Sequence, residues 1–440
     1  MTNAAEDRIV TLADRYVPTF QVYFAHDTFT PRPGAAAAPV DADTAREGEI
    51  ARIKGRIVHS LGPGKPSPAQ GQLIPLAGPW GDSPGQQTND VISVEFKEDV
   101  DGALATVRIE LFNVFDFQRR LYRYTDDPPG SPGAGPLIDY GVTIALLMGY
   151  GTADPVFEGM ITTLDVSFPG EGQSVIQITA TDKRDRLRNQ KNLKPTRFVG
   201  QSEEQIAATV AAQMGLSVAI RPGQQTMPDG PVQMPSDQDA LQFITDRAKK
   251  AALELTCFGN TIFLLTPGDA TKTAIGYEYR RGLTSFSPRF DGTGKPTSVK
   301  VTARDPSTQQ TYTGRATPED LQSARLAPPG STIADVIRTQ GQAGDREEVV
   351  TNYHAKSDQE AKTIAMGILK RNLDNALTVS GSVIGDPQVR AGVSIDVRGV
   401  GRYGGLYYVT SATHHFGTDG YTTSFEGRKN AALGSEGTSQ

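Results

Sequence analysis

The residues best able to do chemistry in this sequence are few and scattered. Gly399-Val400-Gly401-Arg402-Tyr403-Gly404 has the spacing of a dinucleotide-binding loop, a device that presents a pyrophosphate to the N-terminus of a following helix. The residues that follow, Leu406-Tyr407-Tyr408-Val409-Thr410, are strand formers. The segment therefore reads as a hairpin loop, and no cofactor is expected. His414 and His415 are adjacent, with His354 distant in sequence. Neighbours on a strand face opposite ways, so the pair cannot jointly hold one ion and a packing or rim role is favoured. Cys257, the single cysteine, sits in Leu255-Thr256-Cys257-Phe258 without a basic or histidine neighbour. It reads as a small core residue, unable to form an intrachain disulfide or a thiolate cluster. There is no His-Glu-x-x-His helix, no phosphate loop ending Gly-Lys-Ser/Thr and no Gly-x-Ser-x-Gly elbow. Carboxylates are plentiful, but no pair stands out as acid and base. A pair assembled only in space stays open at this stage. No catalytic, cofactor-binding or metal-binding residue is assigned, and no enzyme is expected.

One charge run needs weighing. Lys183, Arg184, Arg186, Arg188, Lys191, Lys194 and Arg197 surround a single acid, Asp185. A stripe for nucleic acid would interleave aromatics, and only Phe198 is near. A solvated linker, or ion pairs to a neighbouring subunit, is the favoured reading. The net charge of −6 agrees, since coating nucleic acid needs a basic surface. No specific nucleic-acid partner is expected.

The elements that would position these residues follow from composition and periodicity. With 440 residues, two to four domains is the prior. With 46 Gly and 29 Pro, turns must be frequent, which argues against a helical bundle. The start lacks a signal-peptide pattern, and the most apolar run, Val142–Met148, is far too short to span a bilayer. The expectation is synthesis in the cytoplasm and no membrane partner.

A strand at Val17–Phe24 precedes a long Pro/Gly-rich stretch, about 26–90, opened by Pro31-Arg32-Pro33 and about half Gly and Pro between Leu61 and Gly85. Only Glu49–His59 looks capable of a strand inside it. The stretch reads as a surface excursion carrying Trp80, the only tryptophan. Strands by two-residue period follow at Val91–Phe96, Ala103–Phe112, Val142–Met148, Val156–Phe168 and Ser174–Thr181. The middle is different. Ser202-Glu203-Glu204-Gln205 is a capping box for a helix ended by Gly215, a second helix starts at Ser236 with Asp239 three residues on, and Thr261–Leu265 is a buried strand. Further strands, a short helix at Pro318 and a capped helix from Ser357 to about Leu373 fill the last third. The domains read as 1–195, a first barrel-like β domain; 196–268, a small α/β module; 269–430, a second barrel-like β domain with helical insertions; and 431–440, a flexible tail.

Two stretches read alike. Gly141-Val142-Thr143-Ile144, a glycine turn, a long strand, a second glycine turn, a strand and a basic end recur from Gly392-Val393-Ser394-Ile395 to Arg428-Lys429. Any two β-meanders share part of this order, so the alternative to a true repeat stays open. If the repeat is real, three chains present six similar units around an axis.

Val393–Arg428, with its Gly-rich loop, Gly405-Leu406-Tyr407-Tyr408-Val409-Thr410-Ser411, His414 and Gly420-Tyr421-Thr422-Thr423-Ser424-Phe425, resembles the C-terminal end of phage late-control D proteins, the baseplate hubs of contractile tails. The middle module, with Met214-Gly215-Leu216 and Gln238–Ile244, is similar too. Together these cover about Val91 to Asn430. The resemblance implies an α+β, mainly antiparallel β fold with two tandem tube-like β-barrel domains and a small α/β module between them. It implies a homotrimer that joins a six-fold tail tube to a three-fold central spike, in a contractile phage tail or a phage-tail-like injection system. The expected location is the baseplate of the assembled particle, and the expected partners are self, tail tube protein and other baseplate proteins, with the 26–90 insertion as a candidate contact. The second barrel ends close to the last residue, so the spike is expected on a separate protein. The rival functions are a tail-associated peptidoglycan hydrolase and a cell-wall-binding protein.

Overall fold

The computed structural model describes residues 18–27, 39–58, 71–76, 90–127, 135–150, 152–188, 197–220, 228, 231–235, 237–251, 253–266, 274–291, 295–304, 310–323, 346–351, 355 and 357–429. The Pro31–Pro39 opening up to residue 38, most of Leu61–Gly85, Trp80, Lys191, Lys194, His354 and the tail from Asn430 lie outside them.

The N-terminal part runs β1 (Pro18–Ala25), β2 (Val40–Asp41), α1 (Ala42–Arg56), β3 (Ile74–Pro75), β4 (Val91–Asp99), β5 (Thr106–Phe112), a small hairpin of β6 (Phe115–Asp116) and β7 (Leu121–Tyr122), β8 (Thr143–Tyr150), β9 (Thr152–Ser167) and β10 (Val175–Asp182). The strand expected at Glu49–His59 is instead α1. Ala42, Glu49 and Ile53 are buried at helical spacing, and Asp41 caps the helix by accepting from the Thr44 N–H at 3.0 Å. The isoleucines suggested a strand, but 50, 53 and 57 fit a helix face, and no two-residue alternation accompanies them. Nor is this part of the insertion a surface excursion. Ile53 and Leu73 pack in one cluster with Tyr23, Leu147, Phe258 and Phe263.

The middle contains β11 (Arg197–Phe198), α2 (Glu203–Ala212), β12 (Ser217–Ile220), β13 (Val232–Gln233), α3 (Ala240–Lys250), β14 (Glu254–Phe258) and β15 (Thr261–Leu265). Both halves of the capping box form at Ser202 and Gln205. Ser202→Ala should lower the unfolding free energy by about 1 kcal/mol in urea titration, because the Gln205 N–H in the first turn loses its acceptor. The second helix begins later than Ser236: Asp239 is its N-cap, accepting from the Gln242 N–H at 2.8 Å. The four-stranded sheet β14-β15-β12-β2 borrows its edge from the N-terminal insertion.

The last part runs β16 (Ile275–Tyr279), β17 (Gly282–Phe290), β18 (Ser298–Arg304), β19 (Thr311–Ala316), α4 (Pro318–Ser323), β20 (Glu347–Val350), α5 (Asp358–Asp374), β21 (Leu377–Ile384), β22 (Ser394–Arg398), β23 (Gly405–Gly417) and β24 (Gly420–Lys429). The segment from β18 to α5 is a unit with its own core, including Val299, Val301, Ala361 and Leu369.

The remaining strands form two six-stranded units within one 13-stranded sheet. The first orders its strands β4-β5-β10-β9-β8-β1, and the second β17-β21-β24-β23-β22-β16. Counted by place within each unit, both read second, third, sixth, fifth, fourth, first. Irregularities repeat as well. The second strand bulges at Ile92 and again at Thr284, and the fifth at Thr162 and again at Thr410. Gly141 and Gly392 enter the fourth strand at φ 80° and 88°, a region that glycine occupies without strain. Each donates its N–H at 2.9 Å to the fifth strand, to the carbonyls of Ile161 and Val409.

Two differences mark divergence. In the second unit β16 pairs with β17 and closes a six-stranded barrel, and β16 runs parallel to β22. In the first, β1 runs antiparallel to β8 and no β1–β4 pairing occurs. The Phe20 ring near this seam meets Phe416 of β23 at 4.4 Å between centroids. The fold is thus α+β and mainly antiparallel, with two barrel-like units flanking an α/β module.

Candidate functional site

The single-residue candidates disperse. The Gly399–Gly404 segment is a loop with one 3-10 turn, Gly401–Tyr403, and strand β23 follows it directly. His414 is buried and His415 exposed, on opposite faces of β23 as alternation requires. His414 Nδ1 lies 2.9 Å from the Tyr421 hydroxyl and 3.1 Å from that of Thr423, and its ring stacks on Phe96. Burial lowers its pKa to about 4, with nearby Arg390 adding to the shift. Cys257 is buried, and burial pushes its thiol well above the ordinary range. Among the described residues no three His, Cys, Asp or Glu side chains gather as a metal site.

The basic run is not a solvated linker at its start. Lys183 and Arg184 are 3% and 1% exposed. Lys183 pairs with Glu158 at 2.8 Å and Arg184 with Asp182 at 2.7 Å, both within the chain. A buried cation must be paired, and the two acids lie on β9 and at the end of β10, where the period-two pattern gives no sign of a buried charge.

What the fold does assemble is a surface. Strands β9-β10-β5-β4-β23-β24-β21-β17 are consecutive neighbours, and they carry one polar face across both units without a break. Alternation builds it: on β21, Val379 and Val383 are buried while Thr378 and Ser380 are exposed. Register aligns the polar residues into rows. One row reads Thr106, Lys97, Thr413, Ser424, Ser382, Ser285. Another reads Thr163, Thr179, Arg108, Glu95, His415, Thr422. A shallow groove of about 290 Å³ crosses the second unit, lined by Lys97, Ser285, Ser380, Ser424 and Glu426 among others. Small hydroxyls with sparse charges of both signs hold water and offer little apolar area for tight binding.

Behind the face, buried ion pairs fix the parts against one another. Glu98 of β4 accepts from the Arg390 guanidinium and, at 2.9 Å, from the Ala391 N–H, tying the first unit to the second. Burial would raise the Glu98 carboxyl, but Arg390 outweighs it and the pKa is lowered. Glu158 accepts from Arg52 and Arg56 of α1 and pairs with Lys183. Its burial is likewise outweighed, by Lys183 and Arg52, which hold it at about 2. Glu254 of the α/β module accepts from Arg428 at 2.5 Å and from the Tyr408 hydroxyl at 2.5 Å, both on the second unit. No sequence signal marks these partners, because Glu98 and Arg390 are separated by 292 positions.

The chain is similar in structure to the 43 kDa tail protein of prophage MuSo2 from Shewanella oneidensis, at 14% identity and a TM-score of 0.57, covering 80% of this chain and 97% of that one. It is similar also to the tail protein from Neisseria meningitidis MC58, at 11% identity and a TM-score of 0.56, covering 78% and 94%. The shared feature at these identities is the fold. No curated protein matches the sequence. The model of the Alg8 N-terminal domain family matches residues 136–417, well over half of the chain, and the chain belongs to that family.

Proposed function

We propose that this chain is a structural hub of a contractile phage tail or a phage-tail-like injection system, related to the late-control D proteins. It is a homotrimer that joins a six-fold tail tube to a three-fold spike, and its work is mechanical rather than catalytic. The observation that carries this reading is the duplication: one polypeptide holds two units of identical strand order, with bulges at equivalent places in the second and fifth strands. Three copies then offer six similar units, the number that a six-fold tube requires. The tail-protein fold of the two structural relatives supports the setting.

In this arrangement the polar eight-stranded face lines the axial passage, where hydroxyl groups keep a column of water and do not retain what passes. The buried ion pairs keep the two units at a fixed angle, so that load on one is carried to the other. The test is the mass of the purified chain in light scattering at micromolar concentration. A trimer is expected, burying well over about 2,000 Å² in total if obligate. A strictly monomeric species removes the reading. Incubation with purified cell wall should release neither glycan nor peptide.

A further inference from the structure

Within one chain the described residues join the two units by a single strand-to-strand seam. The first half of β23 pairs with β22 of its own barrel; after the bulge at Thr410, the second half keeps β24 on one side and on the other exchanges β22 for β4, from Ser411–Asp99 to Phe416–Val94. The fifth strand of one unit thus meets the second strand of the other.

The same two strands in the opposite units have no such partner among the described residues. β9 pairs with β8 up to Met160, bulges at Thr162, and then presents residues 163–167 with only β10 beside them. β17 meets β16 at Gly282 and Leu283 alone, bulges at Thr284, and continues to Phe290 with only β21 beside it. A bare edge exposes a row of unsatisfied backbone groups and must be covered or protected. Here two bare edges are the structural counterparts of the one covered seam.

We propose that these edges pair with each other between copies: residues 163–168 of one subunit lie antiparallel against residues 286–291 of β17 and its end in the next, in the register of the internal seam. This rests on the trimeric reading above and gives it an interface. Carrying over the register from the bulges sets Asp165 opposite Arg289 and Ser167 opposite Ser287 on the polar face. It sets Leu164 opposite Phe290 and Phe168 opposite Phe286 on the core face. One pair sets charge against opposite charge, one sets hydroxyl against hydroxyl, and two set apolar against apolar. Phe168 and Phe290 are 60% and 43% exposed in the single chain, unusual for phenylalanine and relieved by this pairing. Arg289 is 79% exposed at its side chain, and its ion pair with Asp291 is long, at 3.8 Å, so the exchange of that partner for Asp165 costs little. Pro288 lacks an N–H, which guards such an edge against indiscriminate partners at the cost of one ladder bond. The contact is head to tail, so three copies close into a ring where each turns the next by a third of a revolution, and the eight-stranded polar face is then continuous around it.

The experiment uses the full chain with Ser167→Cys and Ser287→Cys together, oxidised at micromolar concentration. The buried native Cys257 supplies no competing thiolate. Covalent dimers and trimers are expected on a non-reducing gel, and a Ser167→Cys, Ser285→Cys pair, two residues out of register, should cross-link at least about tenfold more slowly. Asp165→Lys should weaken assembly by about tenfold or more, since like charges then face each other. Adding Arg289→Glu should restore it. A trimer in light scattering that shows no 167–287 cross-link overturns this seam and leaves the hub reading standing. A monomer under all conditions overturns both.

Discussion

Glu98→Gln should cost about 3–5 kcal/mol of folding stability, the usual loss when one partner of a buried ion pair is removed. The size follows from what remains. Glu98 and Arg390 have side chains 5% and 4% exposed, so the substitution strands a guanidinium in a dry interior. Gln keeps the shape and one acceptor for the Ala391 N–H but no charge to balance Arg390. The cation lies 5.0 Å over the Phe96 ring, and that contact cannot replace a carboxylate. The double variant Glu98→Leu, Arg390→Met should recover most of the loss, because neither charge is then buried. Urea unfolding of the three proteins measures this. A single variant within about 1 kcal/mol of wild type would show that the pair does not hold the units together.

Acid should destabilise the fold well before ordinary carboxylates titrate. His414 has its pKa lowered from 6.5 to about 4. Between those values the unfolded chain binds a proton that the folded chain refuses, so stability is full above pH 6.5 and falls as the pH drops toward 4. The loss over that window is about 3 kcal/mol at 1.36 kcal/mol per pKa unit. Burial is the main cause, and Arg390 reinforces it, while Glu98 and Asp386 oppose it. Glu158, lowered to about 2, loses its contribution only below its unfolded value of 4.5. The two windows overlap only between about 4 and 4.5, so the range above 4.5 reports His414 without Glu158. In thermal unfolding followed from pH 7.5 to 4.5, His414→Gln should flatten the slope between 6.5 and 4.5 whatever its effect on the absolute midpoint. An unchanged slope would move the acid sensitivity to other groups.

Much of this was legible because alternation is a local signal. Val379-Ser380-Gly381-Ser382-Val383 announces both a strand and which side faces water, and Gly141 and Gly392 mark equivalent turns before equivalent strands. Ser202 and Gln205 announce a helix start within four residues. What failed to show is what depends on distant partners. Lys183 and Arg184 look like solvated charges until β9 and β10 place Glu158 and Asp182 beside them. Ile50, Ile53 and Ile57 hold helical spacing, but the buried Glu49 beside them, bonded to the Thr261 hydroxyl, depends on a partner 212 positions away. Strand order is the least local property of all. That both units share it could be suspected from the glycine pattern, but only the pairings establish it.

The unit built from β18 to α5 leaves and rejoins the second barrel at adjacent points, since the Asp291 N–H donates to the Ala376 carbonyl at 2.8 Å. An excursion of some eighty residues is therefore hung from a doorway one hydrogen bond wide. Such a site tolerates replacement of its passenger: a different appendage, grafted between the same two posts, leaves the barrel and its polar face unchanged. Diversity can then accumulate in that appendage while the two barrel-like units stay constant.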